Sequence, residues 1–220
     1  MNRHLLLALV MAVFFLSGWA SGGNIGVSSE CRNADCYVSA SSSLLSILLA
    51  IGLAIFLVTY PQRSRPDDTS TVVGVWRRFG AFFLDCLLVM VIVSPLSAIP
   101  VLVSEASYSG TFQWAFERDH SRPTDSLYIF PGVLAGFLAL FYYFYQHGRS
   151  GRPTVGQYVS SYRVTDAPDS GEPRYALRVV MSFLGLCMWP ISVILALRNP
   201  NKAFWWDAAT RTRVVPVVSR

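Results

Sequence analysis

The chain has 220 residues, of which 53% are hydrophobic and only 14% charged, against about 25% charged in ordinary soluble domains. Its 18 basic and 13 acidic residues leave a formal charge of +5, and the arginines cluster beside apolar runs without the exposed interleaved aromatics of a nucleic-acid groove. Composition therefore excludes a soluble globular domain and a nucleic-acid binder, and points to an integral membrane protein whose main partner is the lipid bilayer.

Residues 1–20 read as an export signal. "MNRH" is a basic start, "LLLALVMAVFFLS" an apolar core short for a crossing, and "GWA" a small-residue cleavage site ending at Ala20. The alternative is an uncleaved anchor helix. Residues 21–43 are Gly/Ser-rich and polar, and are expected to form an exported flexible segment. In an oxidising compartment Cys31 and Cys36, which enclose only "RNAD", are expected to close a small disulfide loop. No further soft ligands lie nearby, so neither a metal nor a cofactor is expected. Cys86 and Cys187 lie within apolar runs and read as packing residues.

Residues 44–60 read as a transmembrane helix that runs into "PQRSR", the start of a cytoplasmic linker over 61–71. The apolar run 79–103 leaves this arginine-rich side and the run 126–146 returns to it. The acidic loop 104–125 is then external, and 147–177, with Arg149, Arg152, Arg163 and Arg174, is internal. The last run, 179–197, is basic on both flanks, with Arg178 before it and Arg198, Lys202, Arg211, Arg213 and Arg220 after. A break at Trp189–Pro190 favours a re-entrant hairpin there over a full span. "YVSSYRV" and "TRVVPVV" have β-branched alternation and would pair as a cytoplasmic clasp between loop and tail. The expected fold is an all-α integral membrane protein of the inner (plasma) membrane. It is a small multi-pass helical bundle of about three spans plus a re-entrant or fourth span, with short cytoplasmic β elements.

Arg78, Ala81 and Asp85 are spaced i, i+3, i+7 on one helical face, which sets the carboxylate about 10 Å deeper than the guanidinium. An Asp at that depth costs a few kcal/mol unless partnered, and Arg178 is the partner expected from its place at the mouth of the last run. Asp207, after "FWW", reads either as a member of the same polar network or as a helix cap or turn carboxylate. "GRSGRPTVG" sets glycines beside Arg149 and Arg152, but lacks the Gly-Lys-Ser/Thr ending and the preceding strand of a nucleotide loop. A turn held against lipid headgroups is expected instead. Gly132 and Gly136 have the GxxxG spacing of a close helix contact, with a second copy or a membrane partner as candidates. His120 and His147 are solitary and read as surface residues. No set of nucleophile, acid and base converges, so an enzyme is not expected.

The order Arg78-x-x-Ala81-x-x-x-Asp85, then "GRPTVGQYVSSYRVTD", then Arg178, then "WDAATRTRVV" resembles the RDD family of bacterial membrane proteins over residues 72–216, leaving 217–220 as a tail. The family's name denotes an Arg and two Asp, matched here by Arg78, Asp85 and Asp207, and its loop motif is matched by Gly151, Thr154 and Gly156. Gln157 stands where the family commonly has Lys, and Thr210-Arg211 where it commonly has Ala-Gly. The resemblance implies a multi-pass membrane protein, with occasional suggestions of cation/proton exchange. Two functions follow as expectations. One is a non-enzymatic protein, structural or partner-binding, with Arg78, Asp85, Arg178 and Asp207 as a buried polar network. The other is a small transporter or cation/proton exchanger with Asp85 as carrier.

Overall fold

The computed structural model of the chain describes residues 3–21, 26–32, 35–59, 65–66, 72–118, 125–167 and 172–218. The protein is mostly helical, as expected, but it also carries two three-stranded sheets, so its β content exceeds the short elements read from sequence.

An apolar helix, α1 (Arg3–Ala20), comes first, followed by β1 (Gly26–Arg32) and β2 (Asp35–Ser41). The two strands pair antiparallel from Gly26↔Ser41 to Arg32↔Asp35, where a flexible segment was expected. The reason is a period-two pattern that the serines conceal. Val38 and Ala40 are buried while Tyr37 is exposed, and Ala40 packs on Ala98, Val101 and Leu102. Cys31 and Cys36 face each other in register, but their side chains, and with them the expected disulfide, lie outside the described part.

Helix α2 (Leu44–Thr59) starts where Ser43 accepts a hydrogen bond from Ser46 N at 3.0 Å, a local N-cap. Its 16 residues give about 24 Å, short of the ~30 Å hydrocarbon core for which a span was expected. Of the linker 61–71 only β3 (Arg65–Pro66) is described. Helix α3 (Val75–Ser109) outruns the apolar segment 79–103 at both ends, so "RRFGAFFLD" is helical throughout. Strand β4 (Ala115–Arg118) pairs with β2, and helix α4 (Asp125–Ser150) follows. Both α3 and the 129–150 part of α4 are long and apolar enough to cross a membrane.

Gly132 and Gly136 on α4 lie against α3 of the same chain. A Cβ at Gly132 would stand 3.0 Å from Ser97 Cβ, and one at Gly136 would stand 3.5 Å from Val93 Cγ1. The face on which an outside partner was expected is thus used for a close helix contact within the chain.

The rest of the chain contains two units built alike. Helix α5 (Val155–Val159) leads through Ser161, at positive φ, into β5 (Tyr162–Asp166). Helix α8 (Trp205–Ala209) leads through Arg211, also at positive φ, into β6 (Thr212–Val218). Strands β5 and β6 pair antiparallel from Tyr162↔Pro216 to Asp166↔Thr212, the pairing expected from sequence. Strand β6 also pairs with β3 and takes in Val217 and Val218, the start of the expected tail. Between the two units lie α6 (Tyr175–Cys187) and α7 (Trp189–Arg198), bent by 106° about Met188, next to the anticipated Trp189–Pro190 break. Ser192 Oγ donates to Gly185 O at 2.9 Å across the bend and accepts from Trp205 Nε1 at 3.2 Å, so the carbonyl loosened there is satisfied by protein.

The chain divides into two compact units, one of Met1–Leu6, Pro61–Cys86 and Leu140–Arg220, the other of Leu7–Tyr60 and Leu87–Ala139. The polar residues singled out above belong to the first. Its core joins Val75, Val193, Ala196, Phe204 and Trp206, with a second cluster of Val73, Ala81 and Tyr162.

Candidate functional site

One face of α3 gathers two separate polar centres. The deeper is Asp85, 1% exposed. Its Oδ2 accepts from Thr154 Oγ1 at 2.6 Å, and its Oδ1 accepts from Gly156 N at 2.7 Å and from Tyr143 OH at 3.1 Å. The partner is therefore the loop motif and not Arg178. The physical reason lies in α5, which presents its free N-terminal amides and its N-cap to the carboxylate, a natural anion seat. Thr154 is that N-cap, and it accepts from Gln157 N at 3.2 Å while Gln157 Oε1 accepts from Thr154 N at 3.3 Å. Gln157, the departure from the family pattern, completes a capping box without any positive charge. The same contacts bury Thr154 and Gly156 against α3, while Arg149, Gly151 and Arg152 at the start of the turn stay exposed.

Gly156 permits that approach. A Cβ on it would overlap the Ala81 carbonyl oxygen and come within 2.9 Å of Asp85 Cγ. Ala81, 1% exposed, is correspondingly small. Gly151, at φ 64°, turns the chain from α4 into this loop.

The shallower centre is Asp207. Its Oδ2 accepts from Arg78 Nη2 at 2.5 Å and from Phe204 N at 3.0 Å, and its Oδ1 accepts from Arg178 Nη1 at 2.6 Å. Arg78 Nη1 also donates to Lys202 O at 3.0 Å, its guanidinium lies 4.6 Å from the Phe204 ring centre, and Arg178 donates to Thr212 Oγ1. Asp207 is at once a capping residue of α8 and the counter-ion of two arginines, which joins the two sequence readings of it. Burial alone would raise its pKa, but Arg178 and Arg78 outweigh that and hold the carboxyl below the ordinary carboxylate value. Trp206 is buried, stacked on Phe204 at 4.3 Å and closed over Gly185.

The four residues chosen from sequence are thus brought together in one unit, but in a different pairing. Arg78 and Arg178 share Asp207, and among the described residues no Lys or Arg pairs with Asp85. A cavity of about 100 Å³ is lined by Asp85 and both arginines together with Phe82, Phe144 and Trp206. Sequence reading missed Tyr143 and Thr212. It also missed the function of Thr154, although the Thr-x-x-Gln spacing from Thr154 to Gln157 is a helix-start signature that was there to be read.

Residues 72–211 match the sequence profile of the RDD family. No curated protein and no solved structure matches the chain.

Proposed function

Because the chain belongs to the RDD family and is a membrane protein, we propose that it is a non-enzymatic, multi-pass protein of the inner membrane whose two acid centres staple a cytoplasmic loop and the C-terminal segment to α3. The pairing of β5 with β6 supports a re-entrant α6–α7, since strands that pair must lie on one side of the bilayer and the bent helices connect them. The arginine-rich character of both flanks supports the cytoplasm as that side.

One observation carries the stapling function. Thr154 Oγ1 and Tyr143 OH each accept a backbone N–H, from Gln157 and from Val155 at 2.9 Å, so their own protons point to Asp85. With Gly156 N, every neighbour of the carboxylate is a donor. These three donors come from α4, the loop and α5, which suits a carboxylate that ties those elements to α3. The cavity beside Asp85 favours the second reading, cation/proton exchange with Asp85 as carrier. Proteoliposomes decide between them. The expected result is cation and proton flux no greater than in protein-free vesicles, unchanged by Asp85→Asn. Exchange that Asp85→Asn abolishes would replace the stapling function with transport.

A further inference from the structure

The paired strands β5 and β6 have unlike faces. Tyr162, Val164 and Val214 turn to the core, where Tyr162 and Val214 pack with Val73 and Ala81. Strand alternation puts Arg163 and Thr165 on the opposite face, and the register Thr165↔Arg213 adds Arg213 beside them. This face borders a cleft of about 1020 Å³ that is also lined by Arg149, Gly151 and Tyr175.

Two further features distinguish the cleft from an ordinary solvated basic surface. The acids that line it are already committed: Asp207 to Arg78 and Arg178, and Asp166 to the Tyr175 hydroxyl. Among the described residues Arg163 and Arg213 have no acidic partner. In addition, the Arg163 Nε and Thr165 Oγ1 atoms are buried and have no hydrogen-bond partner among the described residues. A buried guanidinium nitrogen and a buried hydroxyl on one strand face are costly without an acceptor.

We infer that this cleft binds a phosphate-bearing anion, with the headgroup of an anionic phospholipid as its occupant. A phosphate oxygen accepts from guanidinium and hydroxyl alike, and Arg is the side chain best suited to it. The lipid source follows from position. Arg149 lies in the last turn of α4 and Tyr175 opens α6, so the cleft sits at the ends of two apolar helices, at the level of lipid phosphates. This rests on the membrane placement proposed above.

The test uses the full chain in detergent, titrated separately with phosphatidylglycerol, phosphatidylcholine and inorganic phosphate, with bound ligand read by native mass spectrometry. Phosphatidylglycerol is expected to be retained over phosphatidylcholine. Arg163→Gln and Arg213→Gln are each expected to weaken it about fivefold, and Arg198→Gln, off the cleft at the end of α7, to leave it unchanged. Arg213 is exposed, so its variant reports binding even where Arg163→Gln, at a half-buried position, fails to fold. Inorganic phosphate bound with the same arginine dependence, in the absence of lipid retention, would keep the anion site and assign it to a soluble phosphate compound. Failure of all three probes, or an equal loss from all three variants, would overturn the site. Flux abolished by Asp85→Asn would refute the stapling function and leave this binding result standing.

Discussion

Asp207→Asn tests the pairing most sharply, because it changes one charge with almost no change in shape. The carboxylate accepts from two guanidiniums at 2.5 and 2.6 Å and from a backbone amide at 3.0 Å. An Asn retains one acceptor oxygen. If that oxygen serves Arg78 and Phe204 N, the new NH₂ faces Arg178, donor against donor. Hydrogen bonds to charged groups are each worth about 1.5–3 kcal/mol, and stranding buried charge costs about 3–5 kcal/mol, so Asp207→Asn is expected to destabilise by about 3–5 kcal/mol. Arg178 is less buried, with 13% of its side chain exposed, and Arg178→Gln should cost less, about 2 kcal/mol. The double mutant should recover about 1–2 kcal/mol of the sum, whereas Arg178→Gln combined with Asp85→Asn should be additive within about 0.5 kcal/mol. Reversible SDS-driven unfolding in mixed micelles gives all the corners of both cycles. A larger coupling for Asp85 with Arg178 than for Asp207 with Arg178 would refute the assignment of partners.

Gly156→Ala should destabilise by about 1–3 kcal/mol in the same assay through overlap with the Ala81 carbonyl, whereas Gly80→Ala, with nothing within 4 Å, should be neutral or stabilising; equal effects would refute the close approach of α5 to α3. Asp207 is held below its ordinary pKa when folded, so the unfolded chain takes up its proton first. Stability from this group should be complete above about pH 4 and fall as pH drops through the lower folded value, and Asp207→Asn should lack that decline; an identical acid profile would count against the two ion pairs. Cysteines placed singly at 149, 172 and 211 should all label from the cytoplasmic side, and external labelling at 211 would turn α6–α7 into a full span.

The long apolar helices were legible because hydropathy over some twenty residues is a strong signal. The β5–β6 pairing was legible because β-branched alternation survives in "YRV" and "TRVV". The β1–β2 hairpin was not, since serines at its polar positions have the composition of a linker and only Val38 and Ala40 mark a buried face. At the site, Arg78, Asp85, Arg178 and Asp207 were each found from residue type and depth. Their pairing was not, because sequence gives a residue's height along its helix but not which neighbouring element reaches it. Arg178 looked closest to Asp85 in chain order around the membrane. The competitor was α5, whose five residues were too short to register as a helix although its capping box fixes both ends of the Asp85 contact.

The two centres join residues at very unequal distances along the chain, 71 positions from Asp85 to Gly156 and 129 from Arg78 to Asp207. A ribosome makes the first partner set well before the second. While the polypeptide is being inserted, α3 can close on α5 as soon as the loop emerges, but Arg78 and Arg178 lack this counter-charge until Asp207 is added. Every nascent chain therefore passes through a stage with two uncompensated arginines at the membrane, and any transcript truncated before Asp207 ends there. Synthesis as far as Asp207 is therefore the step that closes the cationic pair.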